Sequence, residues 1–90
     1  MKISLRLYYT GGSPVSELAR VALKALQSRH SSVQFEIEEI DVVLYPDAAE
    51  ADGILATPTV IKFSPLPIAK IVGDISSLEQ VLGLRQSSSK

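Results

Sequence analysis

Apolar and polar residues alternate from Ile3 through Leu5 and Leu7, with Ser4 and Arg6 between them, before the pattern merges into Tyr8-Tyr9 and a Gly11-Gly12 pair. A period of two is that of a half-buried strand, so this stretch predicts the first strand, with Tyr9 turned inward and Tyr8 toward solvent or a partner. The period then changes. Val15, Leu18, Ala19, Ala22, Leu23 and Leu26 recur at helical spacing, with Arg20, Lys24 and Gln27 opposite them. Ser13 is placed to cap that helix, Pro14 fits its first position, and Glu17 suits its positive end. Ser31-Ser32 interrupts the helix, and Val33, Phe35 and Ile37, ending around Ile40 and Val42, predict a second strand. A strand–helix–strand unit of this kind favours a right-handed crossover and a parallel pair.

Pro46 and Asp47 open a short helix that runs through Ala48-Ala49-Glu50-Ala51-Asp52 and stops at Gly53. Thr59 to Phe63 is β-branched and aromatic, Ser64-Pro65-Leu66-Pro67 turns the chain, and Ile68 to Val72 returns as the second arm of an antiparallel hairpin. After Gly73-Asp74, the run Ser76-Ser77-Leu78-Glu79 reads as a capping box ahead of Leu78, Val81 and Leu82 on one face of a last helix. No internal repeat is present. The pattern predicts one α/β domain of order β-α-β-α-β-β-α over residues 1–85, followed by a frayed, disordered tail over 86–90 with no apolar anchor.

Nine basic against ten acidic residues, with neither sign gathered into a block, argue against a nucleic-acid or membrane-surface field. No apolar run approaches the roughly 20 residues of a membrane span. The charged N-terminus lacks the apolar core of a secretion signal, so a cytoplasmic protein is expected. The absence of cysteine removes disulfides, thiolate zinc sites and Cys-x-x-Cys redox chemistry, leaving His30 as the one soft ligand.

Several residue sets have the composition of a site without its pattern. Ser13, Ser16 or Ser76 with His30 and Asp41 or Asp74 offer the types of a hydrolase triad, yet no Gly-x-Ser-x-Gly turn is present and Ser13 and Ser76 are assigned to caps. Gly11-Gly12 precedes a helix but completes neither phosphate-binding pattern, so a tight turn is expected. Glu36, Glu38 and Glu39 read as a solvated sheet face rather than a metal site, and His30 as a favourable group at a helix C-terminus. No catalytic residue, metal or cofactor is expected.

The order of elements, with Thr57-Pro58 just before the third strand, looks like a thioredoxin-like domain whose first loop, Thr10-Gly11-Gly12-Ser13-Pro14, has no nucleophilic cysteine. A narrower match runs through Leu5-Arg6-Leu7-Tyr8, Gly11, Pro14, Ile40-Asp41-Val42, Pro46, Ala49-Glu50, Ile54 to Thr59, Pro65-Leu66-Pro67 and Gly73-Asp74. In that order and spacing, these residues resemble the KaiB family of circadian clock proteins. The resemblance implies a non-enzymatic adaptor that binds a hexameric KaiC-type ATPase, competes there with a related sensor-kinase domain, and modulates the ATPase's phosphorylation cycle. It also implies a metamorphic chain, in which a dimeric or tetrameric ground state exchanges with a monomeric thioredoxin-like state, and further clock partners such as a KaiA-like protein or a sensor histidine kinase. On this basis Tyr8, Tyr45, Glu50, Lys62 and Lys70 are candidate partner-binding residues, and Pro58, Pro65, Pro67, Gly73, Asp74 and Gly83 are candidate determinants of the fold.

The chain departs from the family where Leu44, Gly53 and Ala69 replace basic residues. The segment Gly83-Leu84-Arg85-Gln86-Ser87 is also poor in strand formers, so the thioredoxin-like state is the expected one, with a cis Thr57-Pro58 bond. Two other functions stay open: a KaiB-like paralogue in stress signalling outside a clock, and a cysteine-free thioredoxin-fold enzyme of the glutathione-linked type.

Overall fold

A computed structural model describes residues 1–84 of the chain. In chain order the elements are β1 (Lys2–Tyr9), α1 (Pro14–Arg29), β2 (Gln34–Asp41), α2 (Pro46–Ala51), β3 (Thr59–Ser64), β4 (Ala69–Val72) and α3 (Leu78–Val81). The strands form one sheet in the order β2-β1-β3-β4. β1 and β2 are parallel from Lys2 beside Gln34 to Tyr9 beside Asp41, and the other pairs are antiparallel. The expected tail over 86–90 lies outside the described residues.

Both faces of the sheet are covered. On one, Ile3, Leu5, Leu7 and Val60 pack against Ala19, Leu23 and Leu26 of α1 and against Ile75, Leu78 and Leu82 around α3. On the other, Tyr8 and Ile61 pack under Ala49 of α2. Covering on both sides corrects the assignment of the two tyrosines. Tyr9 does face the α1 layer, half-buried, but Tyr8 is only 1% exposed beneath α2 and offers no side chain to a partner. Lys62 is likewise buried, at 7% exposure, because it sits on the α1-facing side of an interior strand; its role as an exposed contact is corrected too.

The inward stripe of α1 is rotated from the one its sequence predicts. Ser16, Ala19, Leu23 and Leu26 are buried, whereas Val15, Leu18 and Ala22 are exposed. Ser16 explains the offset: its hydroxyl, on a side chain fully shielded from solvent, accepts the Thr10 amide at 3.0 Å and turns the helix so that this residue faces the sheet. Ser13 caps as expected, accepting from the Ser16 amide at 3.5 Å, with Pro14 in the first turn.

The expected capping box does not form at α3. Ser77 takes the cap position with no side-chain hydrogen bond, and the Ser76 amide donates to Asp74 Oδ1 at 2.9 Å instead. Glu79 turns back to the end of α1, where its Oε2 accepts from Arg29 Nε at 3.0 Å and lies 2.5 Å from His30 Nε2. A buried carboxylate needs such partners, and two cationic or donor groups satisfy it better than one backbone amide. Arg29 first, then His30, holds the Glu79 carboxyl below its ordinary value. A depressed carboxylate contributes stability above its unfolded pKa and loses it as pH falls through the folded value. Acidification should therefore raise hydrogen exchange at residues 78–82 before the rest of the core, and Glu79→Gln should show the raised exchange already at neutral pH. Equal protection in both proteins across that range would rule out the clasp.

Thr57-Pro58, Ser64-Pro65 and Leu66-Pro67 are cis peptides, the first as the sequence expects. Gly73, after β4, has φ +81°, and Gly83, after α3, has φ +75°, left-handed positions that suit glycine.

Candidate docking face

The loop from β2 into α2 is built on Asp41. Its carbonyl accepts from the Leu44 and Tyr45 amides at 3.1 and 2.9 Å, and its Oδ1 accepts from the Val43 amide at 2.9 Å. The same carboxylate closes over Gly11, where a Cβ would stand 2.5 Å from Oδ2, so a larger residue there would have to displace the Asp41 side chain. This geometry leaves the three residues before α2 pointing outward, with Val43, Leu44 and Tyr45 all well exposed.

α2 is held from beneath by a polar network. Tyr8 donates its hydroxyl to Asp52 Oδ2, with the Ala48 carbonyl 3.1 Å away, and Arg6 NH1 donates to the same Oδ2 at 2.8 Å. Arg6 Nε reaches Glu38 at 2.8 Å, and its guanidinium lies 4.7 Å from the centre of the Phe63 ring. Lys70 Nζ donates to the Asp52 carbonyl at 3.0 Å from the β4 side. The Tyr8 hydrogen bond, then Arg6, lowers the Asp52 pKa, while burial, then Asp52, raises that of Tyr8. Both shifts favour the pair as seen: a charged carboxylate and a neutral phenol.

Of the five candidate contacts, Tyr45, Glu50 and Lys70 are exposed on or beside α2, while Tyr8 and Lys62 are not. Sequence reasoning missed Arg6, Asp52 and Leu55. Asp52 carried a signal, since an acid at a helix C-terminus opposes the dipole and implies a compensating partner. Leu55, 98% exposed in the loop after α2, has no periodicity that would mark it.

The other residue sets do not assemble into catalytic or metal sites. Ser13 caps α1 while His30 is engaged with Glu79, and Asp41 and Asp74 accept from nearby amides. Glu36, Glu38 and Glu39 pair with Lys2, Arg6 and Arg20, so the face read as merely solvated is ion-paired and divided between both sides of the sheet. Between the first loop and the cis Pro58 corner, Thr10 and Thr57 join hydroxyl to hydroxyl at 2.7 Å.

Sheet order, helix placement and the cis proline beside the first loop define a thioredoxin-fold protein, here one whose sequence has no cysteine. The germline thioredoxin Deadhead of Drosophila melanogaster superposes with a TM-score of 0.76 at 19% identity, covering 91% of this chain and 79% of that one. The N-terminal domain of Synechococcus elongatus SasA superposes at 0.69 and 19% identity, covering 92% and 78%. The KaiB domain model matches residues 6–86, and the chain belongs to the KaiB family. The circadian clock oscillator protein KaiB of Gloeothece citriformis is 42% identical over 78 residues, 87% of this chain and 74% of its own length. The circadian clock protein KaiB3 of a Synechocystis strain is 41% identical over 81 residues, 90% of this chain and 79% of its own. These relatives are named as clock proteins, and a role in the clock is the coarse function they support.

Proposed function

We propose that this chain is a non-enzymatic clock adaptor of the cytoplasm. Its α2 and the neighbouring sheet edge dock on a hexameric KaiC-type ATPase and modulate the ring's phosphorylation and ATPase cycle. The observation that carries the reading is the combination of a rigid back and an open front. α2 is fixed to β1 through Arg6, Tyr8 and Asp52, while Tyr45 and Glu50 face outward. A surface pre-organised in this way binds without first ordering its own side chains. In this reading Tyr45, Glu50 and Lys70 make the contacts, and Tyr8 supports them from behind. The monomeric thioredoxin-like arrangement is the docking state, and a dimer or tetramer is its reserve form. Pro58, Pro65, Pro67, Gly73, Asp74 and Gly83 help to set that arrangement.

Sedimentation of the chain with a KaiC-type ring tests this. Co-sedimentation in at least one nucleotide or phosphorylation state is expected, with affinity lowered at least about tenfold by Tyr45→Ala combined with Glu50→Ala. No association in any state would overturn it. A second reading, in which a KaiB-like paralogue docks on another ATPase or a histidine kinase outside the clock, draws support from the exposed Leu44, where a basic side chain is the family's habit.

A further inference from the structure

The front of α2 is both apolar and acidic. Leu55 stands between two hollows. One, of about 200 Å3, is walled by Val42, Ala49 and Ile54; the other, of about 370 Å3, reaches Lys70 and Val72 on β4. Val43, Leu44 and Tyr45 extend the apolar surface at 66%, 68% and 61% exposure. Large exposed apolar side chains at both ends of one short helix are the kind of surface that another molecule covers.

The charges carried by α2 itself have one sign, with Lys70 the exposed cation at the rim of the larger hollow. No lysine or arginine occurs from Val42 to Thr57, and Asp47 and Glu50 are both exposed on α2. The third acid, Asp52, is neutralised from beneath by Arg6. Lys70, at the rim, is directed at the Asp52 carbonyl, and Lys62 is buried on the far face of the sheet. A second copy related by a two-fold axis would bring the same acidic patch against itself, and an anionic lipid surface would be repelled.

We propose that this face selects a protein segment of opposite make-up: apolar side chains that fill the two hollows, flanked by lysine or arginine that meet Asp47 and Glu50. The inference rests on the docking role above and specifies the chemistry of the surface it meets. The rim charges should act mainly on association rate and salt dependence, and the Leu55 contacts on dissociation.

Two synthetic helical peptides of about 18 residues provide the probe. Both carry a leucine stripe, one with a lysine polar face and the other with a glutamate one, and each is titrated into the isotopically labelled full chain. The lysine peptide is expected to shift the amides of residues 42–57, with affinity falling about tenfold as salt rises from about 0.05 to about 0.3 M. The glutamate peptide should leave them unmoved. Asp47→Lys with Glu50→Lys should reverse the preference, and Leu55→Ser should weaken the lysine peptide while preserving the dispersion of the spectrum. Equal response to both peptides, response to neither, shifts confined to other faces, or self-association that Leu55→Ser abolishes would each overturn the proposal. A KaiC-type ring that fails to bind, while the lysine peptide binds selectively, defeats the docking partner and leaves this inference standing. A ring that binds more tightly to the charge-reversed variant does the opposite.

Discussion

Tyr8→Ala should lower folding stability by about 4 kcal/mol, and Tyr8→Phe by about 2 kcal/mol. The larger loss removes an aromatic ring that fills the layer between the sheet and α2, where Ile61 and Ala49 cannot close the space. The smaller removes only the hydroxyl that donates to the charged Asp52, leaving a part-buried carboxylate one partner short. Denaturant unfolding of the two variants separates packing from hydrogen bonding, and equal losses would contradict the division. The pH profile gives a second reading. Asp52, depressed below its ordinary 3.8, contributes stability above that value and loses it as pH falls through the lower folded pKa. Tyr8, raised above 10.0, contributes below that value and loses it as pH rises through the higher folded one. Tyr8→Phe should therefore flatten the stability curve at both its acid and alkaline ends.

Leu78→Ala should cost about 3 kcal/mol and free the C-terminal helix. α3 has four residues, too few to persist without packing, and Leu78 at 3% exposure is central to its contact with the α1 layer. Hydrogen exchange at residues 78–82 should approach the unprotected rate in this variant, while β1 and β3 remain slow. Unchanged global stability with only local fraying would show that α3 folds as an appendage, outside the cooperative unit.

Much of the architecture could be read from the sequence because each element repeats its own period. β1 alternates, α1 advances by threes and fours, Pro14 and Pro46 open helices, and the glycines and the other prolines fall between elements. What escaped depends on contacts between distant segments. Tyr8 was misplaced because alternation tells that two side chains point apart, not that both sheet faces are covered. The stripe of α1 was turned because a buried serine bonded to a loop amide looks, in sequence, like any polar residue. Glu79 had the spacing of a capping box, but Arg29 and His30, about 50 residues earlier in the chain, bind it more strongly than a local amide would. Of the residues proposed for docking, Tyr45 and Glu50 follow from the family resemblance. The Arg6–Tyr8–Asp52 support was not, since it joins a strand to a helix end across more than 40 positions.

That support has an evolutionary consequence. In the docking proposed above, the orientation of α2 is set from beneath by two side chains of β1, Arg6 and Tyr8, through Asp52. If that docking holds, selection for tighter or looser association has a lever beneath the surface that leaves the proposed contact residues Tyr45, Glu50 and Lys70 unchanged. Drift at positions 6, 8 and 52 is then constrained jointly: a change at one alters which replacements the other two tolerate.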